Sequence, residues 1–263
     1  MNPLSDDRNP CHARTKPRQE FSRNLLVAGF ASACCAQGGP PVITDDPGTP
    51  GNHRWEINVA LTQESLAGVT NFEAPIFDFN YGAGDHLQLK LEIPYAVQNV
   101  ASETRAGLGN SRVGVKWRFL DEAKGGVSVS PYPQFTFNNP TASVRRGLVD
   151  DGWQMFVPLE VSKTLGKFQV GGEVGYNLQQ KFPNQLWLGL VGALQAASRI
   201  QLLAELHSIG AEHFAENESI FDLGSRIRLT NLNTLLFTAG RSLPGSTAGQ
   251  PKFFMYAGIQ FTF

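Results

Sequence analysis

Cysteine is almost missing from this chain. Only three of its 263 residues are cysteine, Cys11, Cys34 and Cys35. A disulfide framework and a cysteine metal site are thereby excluded after residue 35. Charge is also scarce: 17% of residues are charged, against ~25% in soluble domains. The net charge of −1 excludes the basic footprint that nucleic acid requires. No run approaches the ~20 apolar residues of a spanning helix. Nothing in the sequence calls for a cofactor or a metal ion.

Glycine is plentiful, at 27 residues, and suits turns and a crowded β interior. Near the start, Arg14, Lys16, Arg18 and Arg23 precede the short apolar stretch LLVAGFASACCA at 25–36. A basic region, a short apolar region and small residues before a cut have the form of a secretory signal. Cleavage is expected after Ala33 or Ala36, which predicts export and a leader over 1–36. The next stretch, QGGPPVITDDPGTPGN at 37–52, is too dense in glycine and proline for a helix or a central strand. It is expected to be a periplasmic segment in which Asp45 and Asp46 cap turns rather than bind a cation.

From residue 53 the hydrophobic period is two. Twelve alternating segments follow, at 53–63, 72–81, 87–95, 111–120, 126–137, 153–163, 168–177, 185–197, 200–208, 219–229, 234–241 and 253–263. Most are longer than the ~5–6 residues of an average strand and match the ~9–11 of a tilted strand crossing a bilayer. Long connections such as AVQNVASETRAGLGN alternate with short ones such as SR and TLGK. Outer-membrane barrels sort their loops in this way. The fold class expected is all-β: a transmembrane antiparallel up-and-down barrel of about twelve strands over 53–263, resident in a bacterial outer membrane.

Parity divides the faces. One collects Lys90, Glu92, Arg112, Lys116, Arg118, Glu160, Glu173, Glu205, His207, Asp222, Arg226 and Arg228, the expected lumen lining; the other carries charge only at Lys163 and Arg241. A mid-depth charge facing lipid costs several kcal/mol, so the sweep of charge to one side fits a lipid solvent. Trp55, Tyr81, Trp117, Phe119 and Phe168 fall at one set of strand ends, and Tyr95, Phe135, Trp153, Tyr176 and Phe253 at the other. Two aromatic girdles are what membrane interfaces select. Pro75, Pro94, Pro131, Pro133 and Pro158 run against the pattern, because each removes a ladder hydrogen bond.

The run FFMYAGIQFTF at 253–263 is expected to close the barrel against the first strand, leaving no edge unsatisfied in lipid. Tyr256, Phe261 and Phe263 in it resemble the C-terminal signal read by the barrel-insertion machinery. The runs ITDDPGTPGNHRWEINVALT, APIFDFNYGAGDHLQLKLEIPY and GLGNSRVGVKWRFLDE resemble the family named for a MetA pathway of phenol degradation. That resemblance implies a transporter-like outer-membrane barrel, and it carries little mechanism.

The function expected is therefore passive transport of a small solute, with an aromatic or organic acid as one candidate. A plugged, non-conducting barrel is the first alternative and an outer-membrane lipid hydrolase the second. The hydrolase is disfavoured because Ser208 and His207 are adjacent and alternation sends them to opposite faces, whereas a nucleophile and its base must be in hydrogen-bond reach. Removing Phe263 should lower the amount of assembled barrel recovered from cells. Unchanged levels of heat-modifiable protein on gels would show that the terminal aromatic does not drive assembly.

Overall fold

The computed structural model describes residues 40–211, 217–244 and 252–263. The leader at 1–36 lies outside the described residues. Fourteen strand segments follow one another: β1 (Trp55–Ser65), β2 (Val69–Gly82), β3 (Leu87–Val100), β4 (Glu103–Leu108), β5 (Ser111–Trp117), β6 (Ser128–Pro131), β7 (Gln134–Phe137), β8 (Gln154–Leu165), β9 (Phe168–Gln179), β10 (Gln185–Ala197), β11 (Ile200–Ala211), β12 (Asn217–Arg228), β13 (Asn233–Ser242) and β14 (Phe253–Thr262). One short helix, α1 (Glu122–Gly125), follows β5, with Asp121 capping its start.

All neighbouring strands pair antiparallel, and the sheet closes through β1 against β14. The register runs from Glu56 opposite Thr262 to Ser65 opposite Phe253. Trp55 N–H donates to the Phe263 carbonyl at 2.7 Å, and Phe263 N–H to that of Trp55 at 3.1 Å. The pairing of β14 with β1 leaves neither end strand as an open edge to lipid, the condition for a β structure in a bilayer.

The fourteen segments make twelve staves. β3 pairs with β5 over Leu87–Glu92 and with β4 over Tyr95–Val100, so β4 and β5 are two parts of one stave. β6 and β7 both pair with β8 and form another. The expected loop at 96–110 is therefore largely a β-hairpin continuing above the barrel. Tyr95, Val97 and Asn99 oppose Leu108, Ala106 and Thr104 across it, where polar side chains had masked the alternation.

The prolines sit where the ladder breaks. Pro94 marks the point at which β3 changes partner, and its carbonyl accepts Gly109 N–H at 2.9 Å. A side chain at position 109 would meet the Pro94 ring at 2.9 Å, which explains the glycine there. Pro75 lies in the register shift of β2. Pro131 and Pro133 bracket Tyr132 between β6 and β7. Tyr132 N–H donates to Pro158 O, and Val115 N–H to Pro133 O. Below this point β5 and β6 share no ladder, only the bridge between Leu120 and Val129.

The outer face is an apolar band. Leu89, Leu91, Val113, Val115, Val157, Leu159, Leu190, Leu206 and Leu223 are all exposed, an arrangement that water would penalise and lipid does not. Trp55 packs on Tyr81 and Trp117 on Phe119 at the short-turn rim, while Phe135 stacks on Trp153 at the other. An arginine at Leu190, midway along β10, should cost about 2–4 kcal/mol, and one at Leu165, at the rim, about 0–1 kcal/mol. Equilibrium urea unfolding in lipid vesicles measures both; equal costs would mean that this face does not meet a depth gradient.

Candidate functional site

The inner wall concentrates carboxylates. Glu160 on β8 stands directly opposite Glu173 on β9, and Glu205 on β11 directly opposite Asp222 on β12. All four are buried. Like charges directly opposed across a ladder are destabilising, so this wall requires donors from elsewhere.

Glu160 pairs with Lys116 of β5 and Asp222 accepts from Thr238 Oγ1 of β13 at 2.9 Å, while the donors for Glu173 and Glu205 come from residues 40–50. This segment runs through the lumen, and its stretch 40–45 is fully buried. The stretch 37–52 was expected to be a periplasmic segment; the described part of it, from residue 40 up to the first strand, is lodged largely inside the barrel. Ile43 N–H donates to Glu205 Oε2 at 2.8 Å and Thr44 N–H to Glu205 Oε1 at 2.6 Å. Asp45 N–H reaches Glu173 Oε2 at 3.4 Å. Ser130 Oγ donates to the Pro47 carbonyl and Arg226 Nε to that of Pro40. A backbone with no sheet partner must find its hydrogen bonds somewhere, and here wall side chains meet part of that requirement.

Lys116 on β5 joins segment and wall. Its Nζ lies 2.9 Å from Asp45 Oδ1 and 3.3 Å from Glu160 Oε2. It also donates to the Asp46 carbonyl and sits 4.5 Å over the Tyr132 ring. Farther round, Asp78, Lys90, Glu92 and Arg112 form a continuous ladder with contacts of 3.0–3.4 Å. Asp46 caps a turn by accepting from Gly48 N–H at 2.7 Å, as expected from the sequence. Burial raises the Asp46 carboxyl, but Lys116 and Arg226 outweigh it and hold the group below its ordinary 3.8. Its contribution to seating the segment is thus complete at neutral pH and fades only as pH falls below that value.

Two wall glycines make room. A side chain at Gly189 on β10 would sit 1.9 Å from Thr44 Oγ1, and one at Gly82 on β2 only 1.8 Å from the Gly51 carbonyl. These are close backbone approaches that only glycine allows. Beside the segment remains a cavity of about 170 Å³, lined by Asp46, Glu56, Asp78, Lys90, Lys116 and Arg226 among others.

A second feature was missed in the sequence. Ile76, Phe156, Trp187, Ile209, Ile220, Leu236, Phe254 and Tyr256 form one buried cluster with Ile43. They point inward, so part of the lumen is apolar. Trp187 packs against Phe156 at 4.7 Å and edge-on to His207 at 5.4 Å. The signal was available in runs apolar at both parities, such as Leu186-Trp187-Leu188, Leu235-Leu236-Phe237 and Phe253-Phe254-Met255.

Of the expected lining residues, Lys90, Glu92, Arg112, Lys116, Glu160, Glu173, Glu205, His207 and Asp222 are buried inside. Arg226 is half-buried at the segment. Arg118 and Arg228 lie lower, at the short-turn rim, bonded to the Asp85 and Ser198 carbonyls. Ser208 Oγ bonds to Ser219 Oγ at 2.9 Å and to the Glu218 carbonyl. Its partners are therefore not His207, whose ring is buried against Trp187. Tyr256 is inside the barrel and buried, whereas Phe263 is exposed at the rim.

The comparisons with solved structures agree on the architecture. The COG4313 outer membrane channel from Pseudomonas putida F1 superposes with a TM-score of 0.62 at 15% identity, over 80% of this chain and 94% of that one. The NanC porin gives 0.57 at 10% identity, over 78% and 98%. The KdgM porin, in complex with disordered oligogalacturonate, gives 0.55 at 9%, over 79% and 99%. The fold is an outer-membrane β-barrel. No family model matches the chain, and no curated protein matches it in sequence.

Lys116 binds two carboxylates, so removing it strands both. Lys116→Met should destabilise the folded barrel by about 3–5 kcal/mol. Adding Glu160→Gln should recover part of that loss, which a double-mutant cycle in urea measures. Strict additivity of the two changes would mean that the pair is not coupled.

Proposed function

We propose that the barrel resides in the outer membrane and is a gated channel for passive passage of a small solute. Residues 40–50 are its gate, and their place in the lumen is the closed position. One observation carries the reading: the segment is held in the lumen by side-chain contacts to Glu173, Glu205, Lys116 and Arg226 rather than by pairing as a strand. Such a segment leaves without breaking the barrel ladder. The resemblance to the MetA-pathway family supports transport as the role of the barrel. Insertion by the barrel-assembly machinery follows from the terminal strand in the same way.

An organic acid is the less favoured solute. Among the described residues nine acidic side chains are buried, including Asp45, Glu160, Glu173, Glu205 and Asp222, against three basic ones, Lys90, Arg112 and Lys116, with Arg226 half-buried. The basic strip on β5 is already matched, by Glu92 for Arg112 and by Asp45 and Glu160 for Lys116. A lumen with excess carboxylate favours cations over anions, and the aromatic inner cluster adds a surface for an apolar body.

The same contacts suit a permanently plugged, structural barrel, and planar-bilayer recording separates the two. The full-length chain should conduct weakly. A chain with 40–50 replaced by glycine and serine at equal length should conduct strongly and show a cation-favouring reversal potential in a salt gradient. Silence from that variant, with an intact barrel by circular dichroism, would establish the structural reading.

A further inference from the structure

We infer that Glu205, with His207 beside it, is a recognition site for organic cations carrying a guanidinium or amidinium group, and that Ile43 and Thr44 occupy it while the lumen is closed. The inference rests on the gating reading and names the solute class for it.

The geometry at Glu205 is the ground for it. Its two oxygens each accept one N–H, from Ile43 at 2.8 Å and Thr44 at 2.6 Å. One donor on each oxygen of one carboxylate is also the pairing that a bidentate guanidinium makes. The segment thus places amide N–H groups where a ligand's fork would sit. Asp222 accepts from Thr238 Oγ1 at 2.9 Å, and the two amides, which carry no charge, give Glu205 its hydrogen bonds without a formal cation. A guanidinium supplies both.

Two further observations point to a ligand. His207, on the same face of β11 as Glu205, is buried, and among the described residues neither ring nitrogen has a hydrogen-bond partner. A buried imidazole without partners carries a desolvation cost, and its free ring nitrogen is an acceptor for a third N–H of the same group. The Ile43 side chain, next to the donors, sits in the apolar cluster with Trp187, Ile209 and Ile220. A short hydrocarbon stem on the cation would replace it. Gly189 and Thr44 show how closely the segment is fitted: a side chain at 189 would collide with the Thr44 side chain.

The test uses the full-length folded chain in detergent, n-butylguanidinium as the probe and n-butyltrimethylammonium as a cation of the same charge with no N–H. Gly189→Val expels Thr44 from the wall and leaves Glu205 in place. Thr44→Pro removes one of the two competing donors and acts in the same direction. Competition by the segment lowers apparent affinity by the fraction of sites it leaves open. By calorimetry, Gly189→Val and Thr44→Pro should each bind n-butylguanidinium at least about tenfold more tightly than the unaltered chain, with no gain for n-butyltrimethylammonium. Adding Glu205→Gln to Gly189→Val should abolish the gain. Equal binding of the two cations by the Gly189→Val chain overturns the inference, and so does a gain that survives Glu205→Gln. If the double variant does not fold, the comparison of the two cations on Gly189→Val decides alone. A Gly189→Val chain that conducts but does not discriminate leaves the gate standing and removes the recognition site. One that discriminates but stays silent does the reverse.

Discussion

Carboxylates facing one another inside a closed lumen are the constraint on which the rest of this structure turns. Glu160 opposes Glu173 and Glu205 opposes Asp222. Sheet closure, which lipid demands, holds these pairs in place and prevents the wall from spreading to separate them. Lys116 and Thr238 of the wall relieve Glu160 and Asp222, and the backbone of residues 43–45 relieves Glu205 and Glu173 from within the lumen. The segment is lodged there because the wall needs its N–H groups as much as the segment needs acceptors.

Two kinds of stability therefore coexist. The barrel is held by ladders of about ten residue pairs between most neighbouring strands, as between β1 and β14. The segment is held by a handful of polar contacts and by Ile43 in the apolar cluster. Elements with few buried contacts open at lower free energy than the sheet that surrounds them. A segment held in this way is free to move without disturbing the wall, as the proposed gate requires.

Much of this was legible in advance, for particular reasons. Leu89, Leu91, Val113 and Val115 alternate cleanly with Gln88, Lys90, Arg112 and Lys116, because a strand with lipid on one side and a polar lumen on the other has no freedom at either parity. The stave count and the closure of 253–263 on the first strand followed from the same rule. The hairpin of β3 and β4 did not, since above the bilayer neither face need be apolar. The inward cluster was hidden for the opposite reason: where Trp187 and Leu236 face the lumen between lipid-facing leucines, both parities are apolar and the period disappears.

By itself, then, the sequence determined the solvent of each face, the strand lengths and the number of staves, because a bilayer imposes a fixed thickness and a strict penalty on misplaced charge. Only the tertiary structure decided where 40–50 lies. Glycine and proline in that stretch ruled out regular structure and left its destination open. Its place depends on Glu205, Glu173 and Lys116, which lie 71 to 162 residues away in the chain and converge only once the sheet has closed. Hydrogen-bond donors are chosen by distance in space, and sequence spacing carries no record of that distance.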